Sequence, residues 1–159
     1  MKTKTIQKVL IALDYNQTAQ KVAETGYAMA KAMNATVTLL HVISDPVYYS
    51  STEFSPIMGY SGNLETIPLD SIQGLKQASQ HFLDKSKHHL GDDNIQIRVE
   101  EGEFAETILK TAKTIHADII VMGSHSRKWL ENIVMGSVTQ SVLHHTSVPL
   151  FIIPTKRDV

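Results

Sequence analysis

Four short stretches of this chain are apolar at most positions and stop abruptly at a polar or turn residue: VLIAL at 9–13, VTLLHV at 37–42, IIVM at 119–122 and LFII at 150–153. In the first three, a stretch of that length without alternation has no polar face to offer water, so it must be covered on both sides, while the fourth, between Pro149 and Pro154, is the last strand and lies at a sheet edge. In a sheet, that condition calls for parallel strands whose crossover helices lie over both faces. The sequence between the runs supplies such helices. Within residues 18–33, Val22, Gly26, Ala30 and Met33 recur at helical spacing, Lys21, Glu24 and Lys31 fall on other faces, and Asn34 is a stop. A helix capped by Asp70 carries Ile72, Leu75, Ser79, Phe82, Leu83, Ser86 and Leu90 on one stripe and ends at Gly91. A third, over residues 103–116, turns Ile108, Leu109, Ala112 and Ile115 inward, and a fourth over 138–145 is begun by Ser137.

One strand differs from the rest. Ile95, Ile97 and Val99 alternate with Gln96, Arg98 and Glu100, which leaves one face in water and puts residues 95–101 at a sheet edge. Strands and helices therefore alternate from end to end, and the chain reads as an open, parallel, doubly wound α/β sheet with right-handed crossovers. The exception is residues 44–68, where periodicity vanishes and three prolines and two glycines interrupt any ladder, giving a long loop. In such sheets ligands bind beyond the carboxyl ends of strands, where strand order reverses. That rule selects Asp14, Val42 and Gly123, each at such an end.

Composition narrows the partners. With 159 residues, residues 1–159 read as a single domain, and 15 Lys and Arg against 16 Asp and Glu give no summed basic field to attract nucleic acid. No run approaches the roughly 18 apolar residues that cross a bilayer, so no membrane partner is expected. The absence of cysteine excludes disulfides and thiolate chemistry, and the N-terminal MKTKTIQKVLIAL lacks a cleavage pattern; the expectation is a soluble cytoplasmic protein. Of eight histidines, four form the adjacent pairs His88-His89 and His144-His145, which point to different sides of a helix, so a metal held by protein ligands is not expected. No GxSxG elbow is present, and His125 is the one candidate base in the glycine-containing loop. No catalytic residue is assigned.

Residues 121–138, VMGSHSRKWLENIVMGSV, combine the features of a phosphate cradle. Gly123 and Gly136 let backbone N–H groups approach an anion, and the helix start near Ser137 adds partial positive charge. The hydroxyls of Ser124, Ser126 and Ser137 and the charges of Arg127 and Lys128 are further donors. In the plainer reading Gly123 ends a strand, Ser137 caps a helix and the basic residues are solvated. Spacing alone slightly favours the plainer reading, because neither a Walker A pattern nor a strict GxGxxG occurs.

Read together, VLIALD, VTLLHV, GEFAETILKTAKTIHADIIVMGSHS and MGSVTQSVLHHTSVPLFIIP resemble the universal stress protein family, in this order and over nearly the whole chain. The family's nucleotide-binding branch carries Gly, two residues, Gly, nine residues, then Gly and Ser or Thr; here the same spacing runs Gly123, Ser126, Gly136, Ser137, with serine in place of the second glycine. The resemblance implies a five-stranded Rossmann-like sheet of the adenine nucleotide alpha hydrolase kind, ordered 3-2-1-4-5. It implies Asp14 on the ribose, the Val42 backbone on adenine, and Gly123, Ser126, Gly136, Ser137 and Val138 around the phosphates of ATP or a related adenine nucleotide. Mg2+ or Mn2+ would be held mainly by those phosphates. The implied function is a cytoplasmic, dimeric sensor or regulator in stress response, paired through the last strand at 150–153, not an enzyme. A family member acting by protein contacts without nucleotide, and a slow ATP hydrolase or phosphoryl-transfer enzyme, are the alternatives. A second departure from the family pattern is DYNQT at 14–18, where Asp-Gly-Ser is usual, which sets Tyr15 beside the ribose carboxylate.

Overall fold

A computed structural model describes residues 3–44, 71–124 and 135–155 of the chain. Five strands and four helices alternate among them: β1 (Lys8–Ala12), α1 (Ala19–Ala32), β2 (Thr36–Ile43), α2 (Ile72–Leu90), β3 (Gln96–Glu101), α3 (Phe104–Thr114), β4 (Ile119–Gly123), α4 (Ser137–His145) and β5 (Leu150–Ile153). All strand pairs are parallel and the order is β3-β2-β1-β4-β5, the order that the resemblance implied. Strand order reverses between β1 and β4, because β2 and β3 are laid down on one side of β1 and β4 and β5 on the other. The expected loop at 44–68 lies outside the described residues except for Ser44.

The non-alternating runs of β1, β2 and β4 are buried on both faces as their composition requires, whereas β5, at the sheet edge, leaves Phe151 exposed. On one face Val9, Ile11, Leu39, Ile43 and Val121 pack with Val22, Ala30, Leu75, Phe82 and Leu83 of α1 and α2. On the other, Leu10, Leu40, Val42, Ile120 and Met122 pack with Ile108 and Ala112 of α3 and Val142 of α4. Helix α1 approaches the middle of the sheet closely at Gly26, where a Cβ would stand 2.9 Å from Ile11 Cδ1 and 3.0 Å from Val121 Cγ1. At the edge, Ile97 and Val99 pack on the α1–α2 side, while Arg98 and Glu100 pair with each other at 2.8 Å.

Two helix starts differ from the sequence expectation. Ser71, not Asp70, is the N-cap of α2: its backbone is extended and its hydroxyl accepts from the Gly74 N–H at 3.0 Å. Asp70 itself lies outside the described residues. Gly136 rather than Ser137 precedes α4, and Ser137 is already helical. Helix α3 is capped by a carboxylate, Glu103, which accepts from the N–H groups of Ala105 and Glu106. Gly91 ends α2 in the left-handed conformation, the stop that its type predicts.

Candidate functional site

At the point where strand order reverses, the carboxyl ends of β1, β2 and β4 open into a cleft. Its floor is Ala12, Leu13, Leu40, His41, Val42 and Met122; the start of α1 closes one side with Thr18, Ala19 and Val22, and Phe104 and Ile108 of α3 close another. Asp14, Asn16, Thr18, His41, Gly123 and Thr139 bring polar groups to this otherwise apolar lining. An apolar cleft with a few convergent polar groups is the usual form of a small-molecule site.

Asp14 is half-buried just beyond β1, and one of its carboxylate oxygens accepts from the Tyr15 N–H at 2.8 Å. The turn that follows is held by Asn16, whose side-chain oxygen accepts from the N–H of Thr18 at 2.8 Å and whose carbonyl accepts from Ala19 at 3.1 Å. This local turn leads the chain from strand end to helix start without leaving the cleft.

The two ends of the segment between β4 and α4 are fastened together. The Gly136 N–H donates to the Ser124 carbonyl at 2.7 Å, and the Thr139 hydroxyl donates to the Gly123 carbonyl at 2.9 Å. Gly123 and the first turn of α4 are thus neighbours despite the intervening residues. Gly136 has no side chain with which to cap α4, so the helix start presents backbone N–H groups and its partial positive charge. Ser124, counted in the sequence among the phosphate donors, is turned elsewhere. Its hydroxyl accepts from the Thr155 N–H at 3.0 Å and meets the Thr155 hydroxyl at 3.2 Å, tying the loop base to the end of β5.

A profile of the universal stress protein family matches residues 5–154. The chain belongs to that family. Universal stress protein MJ0577 of Methanocaldococcus jannaschii is 27% identical over 157 residues, covering 96% of this chain and 97% of the relative. The solved structure of MJ0577 superposes with a TM-score of 0.71 at 25% identity, covering 98% of this chain and all of that one. Two further structures share the fold: a universal stress protein in complex with cAMP (TM-score 0.63, 17% identity, 96% of this chain and 100% of that one) and one from Archaeoglobus fulgidus in complex with dAMP (TM-score 0.54, 18% identity, 94% and 99%).

Of the residues singled out in the sequence, Asp14, Val42, Gly123 and Val138 line the one cleft, and Gly136 and Ser137 adjoin it through the Gly136–Ser124 bond. Ser126, with His125, Arg127 and Lys128, lies outside the described residues. Tyr15 does not crowd the cleft: it is buried in the α1–α2 side of the core. Sequence reasoning missed Phe104, Ile108 and Thr139, which arrive by the orientation of α3 and α4 and carry no motif of their own. Asn16 did leave a signal, since Asn two residues before Thr at a helix start is a familiar turn pattern. Among the described residues no three His, Asp or Glu side chains converge on one point, and no helix is long and apolar enough to cross a membrane.

Proposed function

We propose that this universal stress protein binds an adenine nucleotide, ATP or a relative of it, in the cleft over β1, β2 and β4, and works as a dimeric regulator in stress response. The observation that carries the reading is the convergence of Asp14, Val42, Gly123 and Val138 on one cleft at the reversal of strand order. A half-buried carboxylate suits the two hydroxyls of a ribose, the N–H and carbonyl at a strand end suit an adenine edge, and glycine amides with a helix N-terminus suit phosphate oxygens. These residue types fit the group. A divalent ion would be held mainly by the phosphates, and the cytoplasm is the compartment where such a ligand is abundant. That two proteins of this fold are known in complex with cAMP and dAMP supports adenine as the base.

Ser126 replaces a motif glycine. If its position demands positive φ, serine brings about 1–2 kcal/mol of strain, but that strain is the same with and without ligand and lowers stability rather than affinity. The proposed action is binding rather than turnover, with no residue of the cleft assigned as a catalytic base. Self-association is proposed through β5, a sheet-edge strand of apolar residues on which Phe151 is 37% exposed.

Calorimetric titration with Mg-ATP, after removal of co-purified ligand, tests the reading on wild type, Gly136→Val and Ser126→Gly. Wild type is expected to bind, Gly136→Val to bind about tenfold more weakly, which corresponds to about 1.4 kcal/mol, and Ser126→Gly to bind with similar or modestly higher affinity. Absence of binding in wild type at millimolar ATP with a gain in Ser126→Gly would transfer the function to protein contacts without nucleotide.

A further inference from the structure

The aromatic residue beside Asp14 is buried in a polar arrangement on the α1–α2 side of the sheet. The Tyr15 side chain is 5% exposed, and its hydroxyl donates to the hydroxyl of Ser79, a fully buried residue of α2, at 2.6 Å. Its ring lies 4.0 Å from the His41 ring and meets Phe82 edge-on at 4.9 Å. His41 Nδ1 stands 2.8 Å from the Leu13 carbonyl; a carbonyl only accepts, so Nδ1 carries the proton and donates. The Leu13 N–H in turn donates to the Leu40 carbonyl at 2.8 Å.

These contacts form a continuous strap. Leu13 and His41, the residues immediately before Asp14 and Val42, are bonded to each other, and Tyr15, immediately after Asp14, packs on the His41 ring and is anchored to α2. The Tyr15 N–H is also a donor to the Asp14 carboxylate, at 2.8 Å. The anchored ring and the N–H that donates to Asp14 are carried on the same Cα, so a shift of the residue 15 backbone that the anchor resists would move a hydrogen-bond donor of Asp14. We propose that Tyr15 is a positioning residue: anchored to Ser79 and packed on His41, it sets the angle at which the Asp14 carboxylate meets the vicinal hydroxyls of a bound nucleoside. The inference rests on the nucleotide reading above and adds to it the device that selects a ribose over a sugar lacking those hydroxyls.

The test compares affinities for Mg-ATP and Mg-2′,3′-dideoxy-ATP in wild type, Asp14→Asn, Tyr15→Phe and Ser79→Ala, each first shown to be folded by its cooperative unfolding transition. Tyr15→Phe keeps the ring and removes only the anchor; Ser79→Ala removes the anchor from the other side and leaves residue 15 intact. Both are expected to weaken ATP by roughly fivefold, the factor one hydrogen bond of ordinary net worth supplies, and to leave dideoxy-ATP unchanged. A purely structural role would weaken both ligands alike. In the free protein, the residue 15 amide is expected to exchange its hydrogen faster in both variants. Variants that keep the wild-type preference for ATP, or unchanged exchange at residue 15, overturn the positioning role while leaving nucleotide binding intact. No binding of either ligand by wild type, or a preference that survives Asp14→Asn, overturns the underlying assignment of Asp14 and this inference with it.

Discussion

Gly102→Ala probes the turn that carries the chain from β3 into α3 and so aims Phe104 at the cleft. Gly102 has φ +146°, a region that L side chains rarely adopt, and a Cβ there would stand 2.5 Å from Thr107 Oγ1. Its N–H is committed to the Ile43 carbonyl at 2.9 Å, so the turn is not free to relax by swinging outward. Holding alanine in a sparse backbone region takes about 1–3 kcal/mol, and pushing the buried Thr107 side chain off its rotamer about 0.5–1.5 kcal/mol more. The sum, roughly 1.5–4.5 kcal/mol, is below the ~5–15 kcal/mol of a typical domain, so the variant should fold and melt on the order of 10 °C lower. The two contributions separate in a double-mutant cycle. Thr107→Ala removes Oγ1, and the remaining atom near the new Cβ is Thr107 Cβ at 3.8 Å, an ordinary contact. In that background Gly102→Ala should therefore be milder by about 0.5–1.5 kcal/mol in urea unfolding. Strict additivity would refute the clash, and a neutral Gly102→Ala would refute the strain as well.

Three further outcomes are expected. Gly26→Ala should destabilise the fold despite a helix-propensity gain of about 1 kcal/mol, because forcing a methyl against Ile11 and Val121 costs about 1–3 kcal/mol, and Ile11→Val, which removes the nearer carbon, should recover part of the loss; a more stable Gly26→Ala would show that α1 has room. Asp118 accepts from the N–H groups of Gln7 and Lys8, both at 3.0 Å, and pairs with Lys4; chiefly the Gln7 N–H, then Lys4, hold its carboxyl below the ordinary value of 3.8. A depressed folded pKa contributes stability that is complete above the unfolded value and fades as pH falls through the folded one, so Asp118→Asn should flatten the acid limb of a stability profile recorded between about pH 2 and 6; an unchanged slope there would remove Asp118 from that account. Phe151→Lys should shift sedimentation toward monomer at micromolar concentration, and an unchanged mass would exclude pairing through β5.

Much of the architecture was written in local sequence. The runs at 9–13, 37–42, 119–122 and 150–153 each became a strand within one residue at either end, because a stretch without a polar face has few places to go in a folded chain. Strand ends are set by partners instead. Lys8 belongs to β1 because it pairs with Thr36, although nothing apolar marks it, and Leu13 falls outside because, after its N–H closes the last rung on the Leu40 carbonyl, no residue of β2 pairs with it. Helix starts were less legible for a related reason. Asp70, Ser71, Gly136 and Ser137 are all acceptable near an N-terminus, and which one caps depends on where the backbone leaves the extended region, a matter of a single residue.

The site was legible as far as topology reaches. Asp14 lies just beyond β1, and Val42 and Gly123 lie at the ends of β2 and β4; the carboxyl ends of parallel strands share one end of the sheet whatever their register, so naming them needed no distances. Tyr15 shows where adjacency in sequence misleads. Side chains along an extended chain point alternately to opposite faces, and the alternation persists past the last paired residue of β1: Leu10 and Ala12 pack on the α3–α4 side, Leu13 and Tyr15 on the α1–α2 side. On β2 the same rule sends Leu40 and Val42 one way and Leu39 and Ile43 the other, with the His41 ring on the latter side against Tyr15. A tyrosine next to Asp14 therefore takes nothing from the space over the strand ends. What it alters is the buried side of the same peptide, where glycine would leave Ser79 and His41 without the ring and hydroxyl that join them.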